Sequence, residues 1–201
     1  MHQIDRRTLL VGASAGAAIS TSIYQPVFAQ TTTSTIENWM DEASSKAPRG
    51  ALLLMRFVEP IYVLREDIHW VPGPSDKGRL SKVDVPKGFV TDLASVPQAF
   101  WSLLRPDGEY TYAAILHDWM YWIQDRPRGH ADEIFFASMK EFGIDAVTAN
   151  TIYAAVEVAG KSAWSGNAEL KLKGEKRVLK KFPEDPLMHW SEWKTRSDVF
   201  L

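Results

Sequence analysis

The sequence predicts an α+β fold, an N-terminal antiparallel sheet of about four short strands followed by a three-helix unit, because its hydrophobic pattern changes once along the chain. Up to about residue 97, short β-prone runs alternate with Pro and Gly, which favours strands joined by turns. Beyond that point apolar residues recur at three- and four-residue spacing, which is typical of amphipathic helices. We therefore expect a single α+β domain over residues 50–164.

The individual elements follow from the turn residues between them. The strand pattern occupies residues 51–58, 61–64, 68–71 and 87–90, separated by segments rich in Pro and Gly. A short helix is expected over 98–104. Three longer helices are then predicted over about 109–124, 130–142 and 145–164, each bounded by Pro, Gly or a capping residue.

The two ends of the chain differ from this domain. Within residues 1–29, Arg6-Arg7 precedes a run rich in Ala and Gly and a cleavage-site pattern ending at Ala29. This arrangement resembles a bacterial twin-arginine export signal, which implies a periplasmic or secreted protein whose mature chain has no transmembrane segment. Residues 30–49 are expected to form a linker with room for a short helix. Residues 165–201 form a polar, basic C-terminal extension, in which Trp190 and Trp193 should pack back onto the domain.

The composition restricts the classes of function. A formal net charge of −2 gives no electrostatic reason to expect nucleic acid as a partner. The chain has no Cys, which excludes disulfides, thiolate metal sites and Cys nucleophiles. Eight Trp, nine Phe and six Tyr can fill a core and also contact an apolar ligand. The oligomeric state is left open by the sequence.

A His-Asp pair lies in the middle of the first long helix. Residues 112–122 are mostly apolar, yet they include His117 and Asp118, with Tyr121 one turn after His117. Residues four apart share a face of a helix, so His117 and Tyr121 should point the same way. Burying ionisable groups is costly unless they are paired. This pair is therefore the main candidate for a functional site.

Two further carboxylates could complete this site. Asp92 lies in a loop between the last predicted strand and the first helix, where a carboxylate and backbone carbonyls can bind a hard cation. Asp132 lies early in the next helix and could orient the His117 imidazole. Each also has a purely structural interpretation, Asp92 as a turn residue and Asp132 as a first-turn residue favoured by the helix dipole.

Three sequence motifs resemble a small uncharacterised family that is frequent in phages and prophages. The motifs are Gly88-Phe89-Val90-Thr91-Asp92-Leu93-Ala94-Ser95-Val96-Pro97, then His117-Asp118, then Ala131-Asp132 followed by Phe135. The resemblance covers about residues 50–164. It implies a phage-related domain, and the family carries no established activity.

A more distant resemblance concerns the helix around His117. Residues 113–121, Ala-Ala-Ile-Leu-His-Asp-Trp-Met-Tyr, are similar to the active helix of secreted phospholipases A2 at His, Asp and Tyr, with Ala, Ala and Met at the cysteine positions. The resemblance implies a calcium-dependent hydrolase of lipid esters. His117 would deprotonate a water, Asp132 would orient His117, and Tyr121 would brace Asp132. Asp118, Asp92 and the Leu93 carbonyl would bind Ca²⁺, which would polarise the ester carbonyl.

A different metal site is also compatible with the sequence. His117 and Asp118 could group with His69 or His130, as in His-Asp phosphohydrolases. Those enzymes are all-helical and need an upstream helical His, whereas His69 lies in a predicted strand. We rank this alternative below the phospholipase-like one.

The last alternative is a non-catalytic, phage-derived structural or binding module. The His and Asp side chains would then form a buried polar network that fixes the junction between sheet and helices. Geometry separates this alternative from the hydrolase. Catalysis requires an Asp132 oxygen within hydrogen-bond reach of His117, and the other imidazole nitrogen open to a cleft.

Overall fold

Five short antiparallel strands precede three long helices in the computed structural model, which describes residues 52–93 and 110–201, so the predicted α+β class is confirmed. The strands are β1 (Leu54–Arg56), β2 (Tyr62–Leu64), β3 (Ile68–Trp70), β4 (Val83–Val85) and β5 (Val90–Thr91). The helices are α1 (Tyr110–Ile123), α2 (Arg128–Glu141), α3 (Ala146–Leu172) and the short α4 (Trp190–Trp193), followed by a 3-10 turn at Ser197–Val199. The export signal, the linker and the short helices expected before residue 50 and over 98–104 lie outside the described residues.

The strands form two small sheets. One has the order β1-β2-β5, with Leu54 opposite Leu64 and Tyr62 opposite Thr91. The other is the pair β3-β4, with Ile68 opposite Val85. The prediction of about four strands missed β4, which lies directly before Pro86.

The C-terminal extension adds to the first sheet beside β5. The Val90 N–H donates to the Arg177 carbonyl at 2.8 Å, and the Leu179 N–H donates to the Gly88 carbonyl at 2.8 Å. Gly88 has a φ of 88°, and a Cβ at this position would overlap the Leu179 carbonyl. Only glycine permits this close backbone approach without strain.

Buried apolar side chains form two clusters. The helical core joins the inner faces of α1, α2 and α3 to β3 and β4. The C-terminal core contains Phe57, Val63, Val90, Leu179, Trp193, Val199 and Phe200. Trp193 is buried in this second cluster and Trp190 packs against it, as the sequence predicts.

Helix α3 ends at Leu172, about two turns beyond the predicted end near residue 164. The last carbonyl groups of α1 have no hydrogen-bond donor within their own helix. Side chains on the additional turns of α3 donate to two of them. Asn167 Nδ2 donates to the Tyr121 carbonyl at 3.2 Å, and Lys171 Nζ donates to the Ile123 carbonyl at 3.2 Å. This tertiary contact keeps polar residues helical where composition suggested a solvated extension. No helix in the described ranges combines the length and apolar character needed to cross a bilayer.

Candidate functional site

The Asp132 carboxylate accepts hydrogen bonds from three side chains. His117 Nε2 lies 3.0 Å from Asp132 Oδ1, and the Tyr121 hydroxyl donates to the same oxygen at 2.7 Å. Arg128, one turn before Asp132 on α2, donates from Nη1 to Oδ2 at 2.6 Å. The expected contact between Asp132 and His117 is therefore confirmed. We call these four residues the Asp132 cluster.

The cluster fixes the protonation of its histidine. An ionised carboxylate can only accept hydrogen bonds, so Nε2 of His117 carries the proton and Nδ1 carries a lone pair. Burial lowers the pKa of His117 below its usual value, although the hydrogen bond to Asp132 opposes this shift. The imidazole is thus neutral at pH 7, and the Arg128 guanidinium balances the charge of Asp132.

The His117 ring is enclosed by aromatic side chains. Phe135 stacks on it with ring centroids 4.4 Å apart, and Tyr121 contacts it at 4.1 Å. The residue is 0% exposed, and Nδ1 has no hydrogen-bond partner within the described part of the chain. This nitrogen therefore does not open to a cleft, so the condition stated above for catalysis is not met, and this counts against a catalytic role for His117.

A cavity of about 250 Å³ lies beside α1, and we call it the Asp118 cavity. It is lined by Asp92, Asp118, Tyr121, Ala163, Gly166, Asn167, Leu170 and Arg177, and so does not include His117. The Thr91 hydroxyl donates to Asp118 Oδ2, and the Leu93 N–H donates to Thr91 Oγ1 at 3.0 Å. The structure thus brings Asp92 and Asp118 to one cavity, whereas Leu93 is not one of its lining residues.

The donors in the Asp118 cavity match part of a calcium site. Ca²⁺ takes six to eight oxygen ligands, commonly carboxylates, carbonyls and water. Asp92 and Asp118 supply two carboxylates, but the Arg177 guanidinium also lines the cavity. Among the described residues, no group of three or more His, Asp or Glu side chains could hold a metal ion. Backbone oxygens and water would have to complete the coordination.

The histidines of the phosphohydrolase alternative contact other partners. His69 Nδ1 lies 2.8 Å from Asp84 Oδ1 on the exposed face of the β3-β4 pair. His130 Nε2 lies 3.2 Å from Ser81 Oγ. Neither histidine forms a metal-binding group with His117 and Asp118 in the described ranges.

Three residues of the site were missed by sequence reasoning. Arg128 could have been found, because Arg128 and Asp132 have the four-residue spacing of a helical ion pair. Thr91 was quoted within a motif, but its bond to Asp118 depends on how the loop turns. Gly160 gives no signal in sequence, although a Cβ there would overlap the Tyr121 hydroxyl and lie 3.0 Å from Arg128 Nη1.

Comparison with known proteins gives a family match over part of the chain and no activity. Over 81 residues the chain is 32% identical to the uncharacterized protein y4jT of Sinorhizobium fredii, a match covering 39% of this chain and 24% of the relative. The chain thus spans about a quarter of that relative. No solved structure matches the chain significantly. Residues 74–156, which include Asp92, Asp118 and the whole Asp132 cluster, match a family described as a protein of unknown function (DUF1353).

Proposed function

We propose that the chain is an exported ester hydrolase in which His117 is the general base, as in secreted phospholipases A2. The state of the two imidazole nitrogens supports this proposal. Asp132 binds Nε2, while Nδ1 is buried and unpaired within the described part of the chain. Buried polar atoms are nearly always hydrogen-bonded. An unpaired nitrogen opposite an orienting carboxylate is therefore more typical of a catalytic base than of a structural histidine.

The Asp132 cluster contains the hydrogen bonds that a histidine needs to act as a general base. Nδ1 would take a proton from the water that attacks the ester carbonyl, and the imidazolium would return that proton to the leaving alkoxide. The Asp132 charge would stabilise the imidazolium and hold the tautomer. Tyr121 and Arg128 hold the carboxylate from two sides, so little reorganisation would accompany the proton transfer.

The Asp118 cavity is the proposed site of the cation and the substrate. Asp118 and Asp92 would bind Ca²⁺ together with the Leu93 carbonyl and water. When bound, the ion would polarise the ester carbonyl. Arg177 lines the same cavity and would attract an anionic group such as a lipid phosphate. Export would place this substrate in the periplasm or outside the cell.

The proposal requires a path to His117. The imidazole is fully enclosed, but Tyr121 contacts its ring and also lines the Asp118 cavity. Catalysis would need a conformational change that opens Nδ1 to this cavity. Active-site hydrogen bonds and access often change between the free and the substrate-bound enzyme.

Hydrolysis by the full chain tests the proposal. Wild type and His117→Gln would be assayed on a panel of phospholipids and p-nitrophenyl esters, with Ca²⁺ and with EGTA. Gln can still donate to Asp132 but has no basic nitrogen, so we expect the rate to fall by roughly 10²- to 10⁴-fold. EGTA should also abolish the wild-type rate.

The matched control is His69→Gln, which alters an exposed histidine on the β3-β4 pair and should retain full activity. Melting curves would establish that both variants fold. Equal rates for wild type and folded His117→Gln would reject the general-base role. An inactive wild type under every calcium condition would reject the hydrolase.

The complete burial of His117 favours a second candidate, a non-catalytic structural or binding module. In that case the Asp132 cluster would only fix the packing of α1 on α2, because satisfied buried networks specify a unique core. His117→Gln would then lower the melting temperature of a protein that hydrolyses no ester on the panel.

A further inference from the structure

A second cavity, which we call the lysine cavity, lies between the C-terminal end of α3 and the residues around α4. Its volume of about 620 Å³ is within the range of roughly 300–1,000 Å³ that is typical of small-molecule sites. It does not include any residue of the Asp132 cluster. Leu170 lines both this cavity and the Asp118 cavity.

The lysine cavity is positively charged. Lys173, Lys176 and Lys194 line it together with one carboxylate, Glu175. Lys176 Nζ donates to the Leu201 carbonyl at 2.7 Å, and Glu175 lies 3.4 Å from Arg177. Within the described ranges, Lys173 and Lys194 form no salt bridge. The helix dipole explains why a lysine stands at position 173, because a positive charge is favourable at the C-terminal end of α3. It does not explain Lys194, which lies outside α3. The presence of Lys194 on the same cavity points to an anion.

One wall of this cavity is apolar and firmly held. Trp190 contacts Phe57 at 5.2 Å and Phe200 at 6.1 Å between ring centroids. The Trp190 backbone N–H donates to Glu59 Oε2 at 2.7 Å, which connects the start of α4 to the turn between β1 and β2. Trp190 and Phe200 line the cavity with Leu170. An apolar surface fixed in this way loses little entropy when a ligand binds.

We propose that the lysine cavity binds a small amphiphilic anion, an acyl carboxylate. Its chain would lie against Trp190, Phe200 and Leu170, and its carboxylate would lie between Lys173 and Lys194. A carboxylate suits this site because its two oxygens can accept from Lys173 and Lys194, which form no salt bridge within the described ranges. The site is separate from His117, so this assignment does not depend on ester hydrolysis.

Titration of the full chain with decanoate tests the site. Calorimetry would give the affinity, and NMR would follow the indole resonance of Trp190, assigned with Trp190→Phe. Decanoate should saturate the site and shift that resonance. Decan-1-ol, which lacks the charge, and acetate, which lacks the chain, should bind at least tenfold more weakly.

Charge-neutral variants locate the carboxylate. Because two exposed ion pairs are lost, Lys173→Gln combined with Lys194→Gln should weaken decanoate binding by roughly five- to tenfold. Lys161→Gln, also exposed on α3 but outside the cavity, should leave binding unchanged. Absence of saturation, an unshifted Trp190 resonance, or equal affinities of the double variant and the control would overturn the proposal. These exposed substitutions should not affect folding, which melting curves would check.

Discussion

The helical core and the C-terminal core bury different kinds of side chain. The helical core surrounds His117 and Asp132, whereas all seven buried members of the C-terminal core are apolar or aromatic. Ion pairs near the C-terminal core lie at the surface, for example Lys181 with Asp198 at 2.7 Å. Burying a charge costs several kcal/mol unless it is paired and hydrogen-bonded. The polar groups of the helical core therefore depend on one another, while the C-terminal core depends on packing.

The largest expected effect comes from removing the centre of the Asp132 cluster. Asp132→Ala leaves Arg128 without its buried partner, and both the Tyr121 hydroxyl and His117 Nε2 lose their acceptor. We expect the free energy of unfolding to fall by about 3–5 kcal/mol. Denaturation in urea would measure the loss.

The matched control is Asp125→Ala, which breaks an exposed pair with Arg126. Surface pairs contribute at most about 1 kcal/mol, so this variant should be close to wild type. If the two variants lose the same stability, the contrast between a buried and an exposed carboxylate is wrong for this protein.

A smaller effect is expected from two glycines on α3. Gly160→Ala would force a methyl group against the Tyr121 hydroxyl and Arg128, and overpacking of this kind costs about 1–3 kcal/mol. Gly166→Ala places its methyl group in open space and should gain up to about 1 kcal/mol from helix propensity. Thermal melts of both variants would show opposite shifts. Shifts of the same sign would mean that α3 can move away from Tyr121.

The smallest effect concerns Glu59 beside the C-terminal core. Hydrogen bonds from the backbone N–H groups of Trp190 and Ser191 lower the pKa of Glu59 to about 2. A carboxyl with a lowered pKa stabilises the fold above its usual pKa, and this contribution is lost as the pH falls towards 2. Glu59→Gln should therefore melt slightly below wild type at pH 7, and the difference in melting temperature should close on acidification.

The control is Glu184→Gln, an exposed residue of the same region. A gap that is constant with pH would contradict the assignment.

The local sequence pattern was sufficient to predict the order of strands and helices and the contact between His117 and Asp132. The strand and helix periods predicted the α+β class, and the four-residue spacing of His117 and Tyr121 placed both side chains towards Asp132. Features that depend on tertiary partners could not be read in this way. The end of α3 is set by carbonyl groups of α1, and the enclosure of His117 depends on Phe135 from α2.

The pairing of Phe89 with Val178 has a consequence for when the fold can form. The three long helices lie between these two residues in sequence, so the sheet gains this neighbour only after all three have been synthesised. Contacts between residues far apart in sequence also slow folding, because a long loop must close first. Until the C-terminal segment arrives, the edge of β5 beside Gly88 would be exposed and could pair with another chain. A nascent chain that does not yet include the C-terminal segment is therefore the form most open to aggregation.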